Sequence, residues 1–256
     1  MTTRAYPQTT GQQVEGEWRF GWIDAIVILA VFVLLWLLVV LAGDMRVRFD
    51  ELSPPPLSLD VALIPYYTAR TVLRMFIAFA AALLFTFTYG YIAAKSVRAR
   101  KVLLPLLDIL QSVPVLGFLS ITITGFLSLF PGSLLGVECA SIFAIFTAQA
   151  WNMTFGFYHS LITIPAELQE AASVYGMNRW QRFTKVELPS SAIGLMWNSM
   201  MSFGGGWFFV AQSEAISVLN KNIKLPGLGS YMAAAVEAGD TRASVYAIIA
   251  MIVSIV

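Results

Sequence analysis

Residues 22–42, WIDAIVILAVFVLLWLLVVLA, form an apolar run with a single charge, Asp24, at its edge. That length suits the roughly twenty residues that cross a bilayer as a helix. Trp18 and Trp22 flank it, as expected of an interfacial belt. Comparable runs recur down the chain, so the run is not an isolated anchor. The composition agrees, with 58% hydrophobic and 12% charged residues and a mean hydropathy of +0.73. A soluble domain carries about 25% charged residues. The pattern predicts an all-α, polytopic transmembrane helical bundle of about six spans.

Residues 1–21 read as a polar, disordered tail with no secretory signal. Residues 22–65 read as the first span and an external loop, stiffened by Pro54-Pro55-Pro56. The second span is expected over 66–94. Arg70 and Arg74, four apart on one helix face, are expected to snorkel to headgroups or to face partner subunits. Lys95, Arg98, Arg100 and Lys101 form the most basic short loop, which the positive-inside rule places in the cytoplasm. A third span, 102–130, is interrupted by Pro114 and Gly117. Asp108 and Gln111 fall within it. A deep Asp108 would face the bundle interior, and a shallow one would be wet at the cytoplasmic end.

The fourth span, 137–164, holds Glu138 near the outer edge, and Gln149 and Asn152 on one face. These two amides either line a pathway or bond a neighbouring helix. The fifth span, 190–216, contains Gly204-Gly205-Gly206, which suits a pathway wall, a bend or tight packing, with Glu214 near its far end. A sixth span opens at 243 and the chain stops after about fourteen residues, fewer than a crossing needs. The sequence thus reads as cut within that span. With the N-terminus cytoplasmic, the loops at 95–101 and 165–189 lie inside, and the uncharged turn at 131–136 lies outside. Arg46, Arg48, Lys221 and Lys224 are exceptions to the positive-inside pattern.

The long polar stretch after the fourth span has its own local logic. Pro165 suits a helix start, and Glu167 and Glu170 suit its positive end. Gly176 permits a turn that other residues resist. Asn178 and Gln181 are spaced as a capping box for a second helix, which Pro189 is expected to stop. The residues Glu170-Ala171-Ala172, then Gly176, then Val186, Glu187, Leu188 and Pro189 resemble the cytoplasmic-loop signature of permease subunits of ATP-binding-cassette importers. Val186 stands where that signature has isoleucine. LPGLGSYM, residues 225–232, resembles a turn-plus-helix of the nitrate-, sulfonate- and taurine-type permeases.

The resemblance covers residues 66–256 and implies a type I importer permease fold in the cell inner membrane. It assigns Glu170, Ala171, Ala172, Gly176, Val186, Leu188 and Pro189 to coupling with an ATPase subunit. Asp108, Gln111, Gln149, Asn152, Gly205 and Glu214 are the pathway candidates. Implied partners are ATP-binding-cassette ATPase subunits, a second permease or permease half (separate or fused in tandem), an extracytoplasmic substrate-binding protein and the lipid bilayer. No cofactor is expected on this chain, ATP and Mg belonging to the ATPase, because the chain has no G-x-x-x-x-G-K-[ST] pattern. A net charge of +1 gives no nucleic-acid footprint. The single Cys139 and single His159 argue against disulfides and clustered metal or Cys/His catalytic sites. Two other classes stay open, an intramembrane enzyme using Asp108, Glu138 or Glu214, and a non-transporting structural membrane protein.

Overall fold

The computed structural model describes Gly43 and residues 57–255, apart from 132, 219 and 220. The expected polar tail, first span and triple proline lie outside the described residues. The described part belongs to one compact unit spanning 41–256.

Helix α1, Ile64–Phe85, is prepared by a short 3-10 turn, Val61–Leu63, whose N-cap Asp60 accepts from the Ala62 N–H at 3.0 Å. Pro65 sits in the first turn of α1, where a missing N–H costs nothing. The helix continues without a break through a π-helical turn, Thr86–Gly90, into α2, Tyr91–Lys95. The most apolar 18 residues of the stretch 61–95 have a mean hydropathy of 1.9, and among the described residues this is the one helical stretch long and apolar enough to cross a membrane. At 1.5 Å per residue it is about 50 Å long.

The segment expected as a third span is two helices. Ser96 caps α3, Val97–Ser112, by accepting from the Ala99 N–H at 3.2 Å, so the basic 95–101 segment is largely helical, where a loop is expected. The break falls at Pro114. Val113 before it is extended, with ψ 123°, as the steric demand of a following proline requires. Helix α4 then runs over Val115–Leu129.

Helix α5, Leu135–Ile162, is the centre of the bundle and packs on α1, α4 and α8. Its buried residues include Ala144, Ala150, Met153, Phe157 and Leu161. Two short helices follow, α6 at Ala166–Val174 and α7 at Arg179–Arg182. A second π-helical turn, Phe183–Glu187, leads directly into α8, Leu188–Glu214. Pro189 therefore does not stop a helix, contrary to expectation. It lies in the first turn of α8, directly after the π turn, whose wider winding loosens the hydrogen-bond ladder that a proline would otherwise break.

The three central glycines of α8 do not interrupt it. At Gly206 a side chain would meet Gln149 Nε2 at 2.8 Å and Met75 Cε at 3.1 Å, so this position brings α8 close to α5 and α1. Gly204 and Gly205 face open space. Beyond α8 the chain forms an antiparallel hairpin, β1 at Ala215–Val218 with β2 at Lys221–Lys224, in the register Ala215↔Lys224 and Val218↔Lys221. This small sheet is the departure from the all-helical expectation. Helix α9, Leu228–Glu237, turns at Gly239, with φ +67°, into α10, Thr241–Ile255, capped by Asp240. These two close over Tyr67 through Tyr231, Ala235, Ala243 and Ala247.

Candidate functional site

The first candidate is the segment 165–189. Helix α6 ends in a Schellman turn. The Met177 N–H donates to the Ala172 carbonyl and the Gly176 N–H to the Ser173 carbonyl, both at 3.0 Å. Gly176 holds φ +62°, the left-handed conformation that glycine adopts without strain. Asn178 and Gln181 then make the capping box reciprocally, at 2.8 and 3.0 Å. Arg182 reaches back to Ser173 Oγ at 2.6 Å and so ties α7 to α6.

This unit is exposed. Glu170, Ala171, Gly176 and Pro189 all lie at the surface, Val186 and Leu188 are half-buried, and Ala172 is buried against the body. Leu168, Val174, Tyr175 and Trp180 present large apolar surfaces outward, with Val174 85% exposed. Glu187 is the buried charged residue of the segment and pairs with Lys95 at the end of α2, at 2.5 Å.

The pathway candidates divide into three groups. Gln149 and Asn152 fall along the α5–α8 contact, and Gly205 is exposed on α8, facing open space. The Asn152 amide donates to Ser202 Oγ at 3.2 Å and to the Asn198 carbonyl at 3.4 Å. Gln149 is wholly buried, and neither of its amide atoms has a hydrogen-bond partner among the described residues. Asp108 and Gln111 stand elsewhere, exposed on α3 and bonded to each other at 3.2 Å. Glu214 belongs to a third place.

That place is a buried clasp. Arg70 and Arg74 are wholly buried, so neither snorkels. Arg74 donates Nε to Glu138 Oε2 at 2.5 Å, Nη2 to Glu138 Oε1 at 2.7 Å and Nη1 to Glu214 Oε1 at 2.7 Å. Arg70 Nη2 donates to Glu138 Oε1 at 2.6 Å. The four formal charges cancel, which is the condition for holding ions in an apolar setting. Glu214 also accepts from Thr71 Oγ1 and from the Gly229 N–H, both at 2.7 Å, while the Leu228 N–H donates to Thr71 Oγ1 at 2.9 Å. Glu214 thus ends α8 and caps the start of α9, where helix N–H groups lack partners. Gly227 is required here, because a Cβ would lie 2.3 Å from the Glu214 carboxylate. The clasp satisfies the Pro226 carbonyl, through Arg74 Nη1 at 3.0 Å, and the N–H groups of Leu228 and Gly229.

Residues 86–256 match the family model described as binding-protein-dependent transport system inner membrane component. The chain belongs to this family. It is 23% identical over 201 residues to the nitrate import permease protein NrtB of Leptolyngbya laminosa, covering 74% of this chain and 69% of that one. It is 37% identical over 65 residues to the osmoprotectant import permease protein OsmY of Salmonella typhimurium, 25% of each chain. The chain is accordingly an importer permease of the ATP-binding-cassette type, a transporter component rather than an enzyme.

Among the residues of this permease, sequence reasoning passes over the pairing of Arg70 and Arg74 with Glu138. A signal for it exists. Two arginines and two glutamates lie inside otherwise apolar segments, and charges at such depth pair with one another. The same reasoning passes over Lys95 with Glu187, since Lys95 reads as part of a basic loop and Glu187 as a variable place in the loop signature.

Proposed function

We propose that this permease forms one half of a substrate path across the inner membrane and is driven by a separate ATPase subunit that docks on residues 165–189. The observation that carries the reading is the construction of that segment. Two short helices are fixed at a set angle by a Schellman glycine, a capping box and the Arg182–Ser173 bond, and their outer surface exposes Leu168, Val174, Tyr175 and Trp180. A rigid polar lever with an uncovered apolar face suits a protein partner better than water. In this reading ATP and Mg are held by the ATPase, the N-terminus is cytoplasmic, about six spans cross the membrane, and an extracytoplasmic binding protein delivers the substrate. A second permease half covers the α5–α8 face at Asn152 and Gly205. Alternating access follows if ATP binding favours one arrangement of the spans and the substrate another.

The substrate class that the relatives favour is a small anion such as nitrate, because the likeness to the nitrate permease extends over most of the chain and that to the osmoprotectant permease over a quarter; the resemblance of residues 225–232 adds the sulfonate and taurine kinds. The test is co-purification of the tagged permease from membranes with its ATPase, with and without Glu170→Lys. Retention by the wild type and loss in the variant support docking. Absence of any ATPase from the wild type removes the reading. Uptake of nitrate against an osmoprotectant by the assembled importer then decides the substrate class.

A further inference from the structure

The inner end of the long helix meets the segment 165–189 through residues spaced by four on both sides. Phe87, Tyr91 and Lys95 share one face of the 64–95 stretch, and Phe183 and Glu187 share a face of the other. The Tyr91 and Phe183 rings meet edge-on, with centroids 5.5 Å apart and planes at 90°. Phe87 meets Phe183 edge-on as well, at 6.5 Å. Lys95 Nζ lies 5.6 Å from the Tyr91 ring centre and 2.5 Å from Glu187 Oε1. The side chain of Glu187 is 3% exposed and that of Lys95 38%.

Both helices adopt π geometry at this point of contact, over Thr86–Gly90 and Phe183–Glu187. π turns are rare and recur at functional sites. Here one residue of each meets the other, Phe87 from the first turn and Phe183 from the second, while Tyr91 and Lys95 lie just beyond the first turn. Beside them a cavity of about 410 Å³, lined by Phe87, Tyr91, Arg179, Trp180 and Phe183, leaves the rings room to repack. The long helix that carries Lys95 carries Arg70, Thr71 and Arg74 toward its other end, in the clasp.

We propose that this joint is where motion of the segment 165–189 enters the membrane bundle. The Lys95–Glu187 pair locks the segment to the long helix, and the helix carries the displacement as tilt to the clasp and to residues 225–231. The proposal rests on the reading that 165–189 docks on an ATPase. Edge-on aromatic contacts slide at little cost, whereas a short ion pair with one nearly buried partner fixes a register and is poorly screened by salt. A continuous helix transmits a push along its axis without loss to loops. Lys95 and Glu187 are positioning residues, acting through the helix and touching no substrate.

The experiment uses the full permease–ATPase complex in liposomes, with ATP as the probe and amide hydrogen exchange at residues 225–231 as the readout. The variants are Lys95→Met, Glu187→Gln and the charge-conserving Lys95→Arg. In the wild type and Lys95→Arg, ATP binding changes exchange at Leu228 and Gly229 by about threefold or more, a shift that local opening equilibria readily show. In Lys95→Met and Glu187→Gln the ATPase stays bound and the ATP-dependent change disappears. An unchanged ATP response in Lys95→Met, or none in the wild type, overturns the proposal. Release of the ATPase by Lys95→Met also overturns it, by placing Lys95 in the docking surface. If Glu187→Gln does not accumulate, Lys95→Met decides alone, since Lys95 is partly in solvent and its loss disturbs packing least. A wild type that brings down no ATPase is a different failure, that of the docking reading.

Discussion

The two ends of the bundle handle charge in opposite ways. At one end Arg70, Arg74, Glu138 and Glu214 are wholly buried and bonded to one another, to Thr71 and to the backbone of residues 226–229. At the other end Glu167, Glu170, Arg179 and Lys185 lie at the surface, and one partly exposed pair, Lys95–Glu187, reaches inward. A buried pair contributes little net stability over an apolar pair, yet breaking it leaves an ion without solvent and costs much. Charges that stay in water, such as Glu167, Glu170, Arg179 and Lys185, cost little to remove. The first end therefore holds one arrangement, and the second is free to be handled by a partner. The helix 61–95 belongs to both.

The sharpest way to break this comparison is Arg74→Met. It leaves Glu138 with Arg70 alone and Glu214 without a cation, and the expected loss of stability is about 3–5 kcal/mol. Thermal unfolding in detergent should show little folded protein at growth temperature. An equivalent change among the exposed charges, Lys185→Met, should leave the unfolding temperature unaltered. Equal losses from both would dissolve the contrast.

Gly176→Val comes next. A β-branched residue at φ +62° costs about 1–2 kcal/mol locally. The clasp end should not feel it, so the bundle should accumulate and unfold normally while transport falls, because the angle between α6 and α7 is lost. Normal transport by a normally expressed variant would remove the lever. Asn178→Ala is milder, about 1 kcal/mol through loss of the capping box. It should lower transport partially, with the same normal unfolding.

These differences also explain what is legible in the sequence. The turn at Gly176 and the box at Asn178 and Gln181 are readable because their determinants lie within a few residues of one another and no distant element overrides them. The break at Pro114 is readable for the same reason. Pro189 misleads, because the π turn that accommodates it depends on the packing of Phe183 against Phe87 and Tyr91, from a segment about a hundred residues earlier. The clasp is the extreme case. Arg74 is separated from Glu138 by 64 residues and from Glu214 by 140. A four-residue spacing places Arg70 and Arg74 on one face, but only the bundle decides whether that face meets lipid headgroups or two carboxylates. The hairpin at 215–224 is likewise set by where α8 ends rather than by a strong strand pattern.

The smallest expected effect separates packing from pathway within the glycine run of α8. Gly206 abuts Gln149 and Met75, whereas Gly205 meets nothing within 4 Å. Gly206→Ala should therefore destabilise the bundle by about 1–3 kcal/mol through overpacking. Gly205→Ala should be neutral or stabilise by up to about 1 kcal/mol, the gain in helix propensity over glycine. Stability thus makes no demand for glycine at 205. If Gly205→Ala unfolds like the wild type and yet alters substrate uptake, the open face beside Asn152 and Ser202 is where substrate or the second permease half approaches. If uptake is also unchanged, Gly205 leaves the set of pathway residues, and the polar contact of Asn152 with Ser202 and Asn198 is a helix-packing bond.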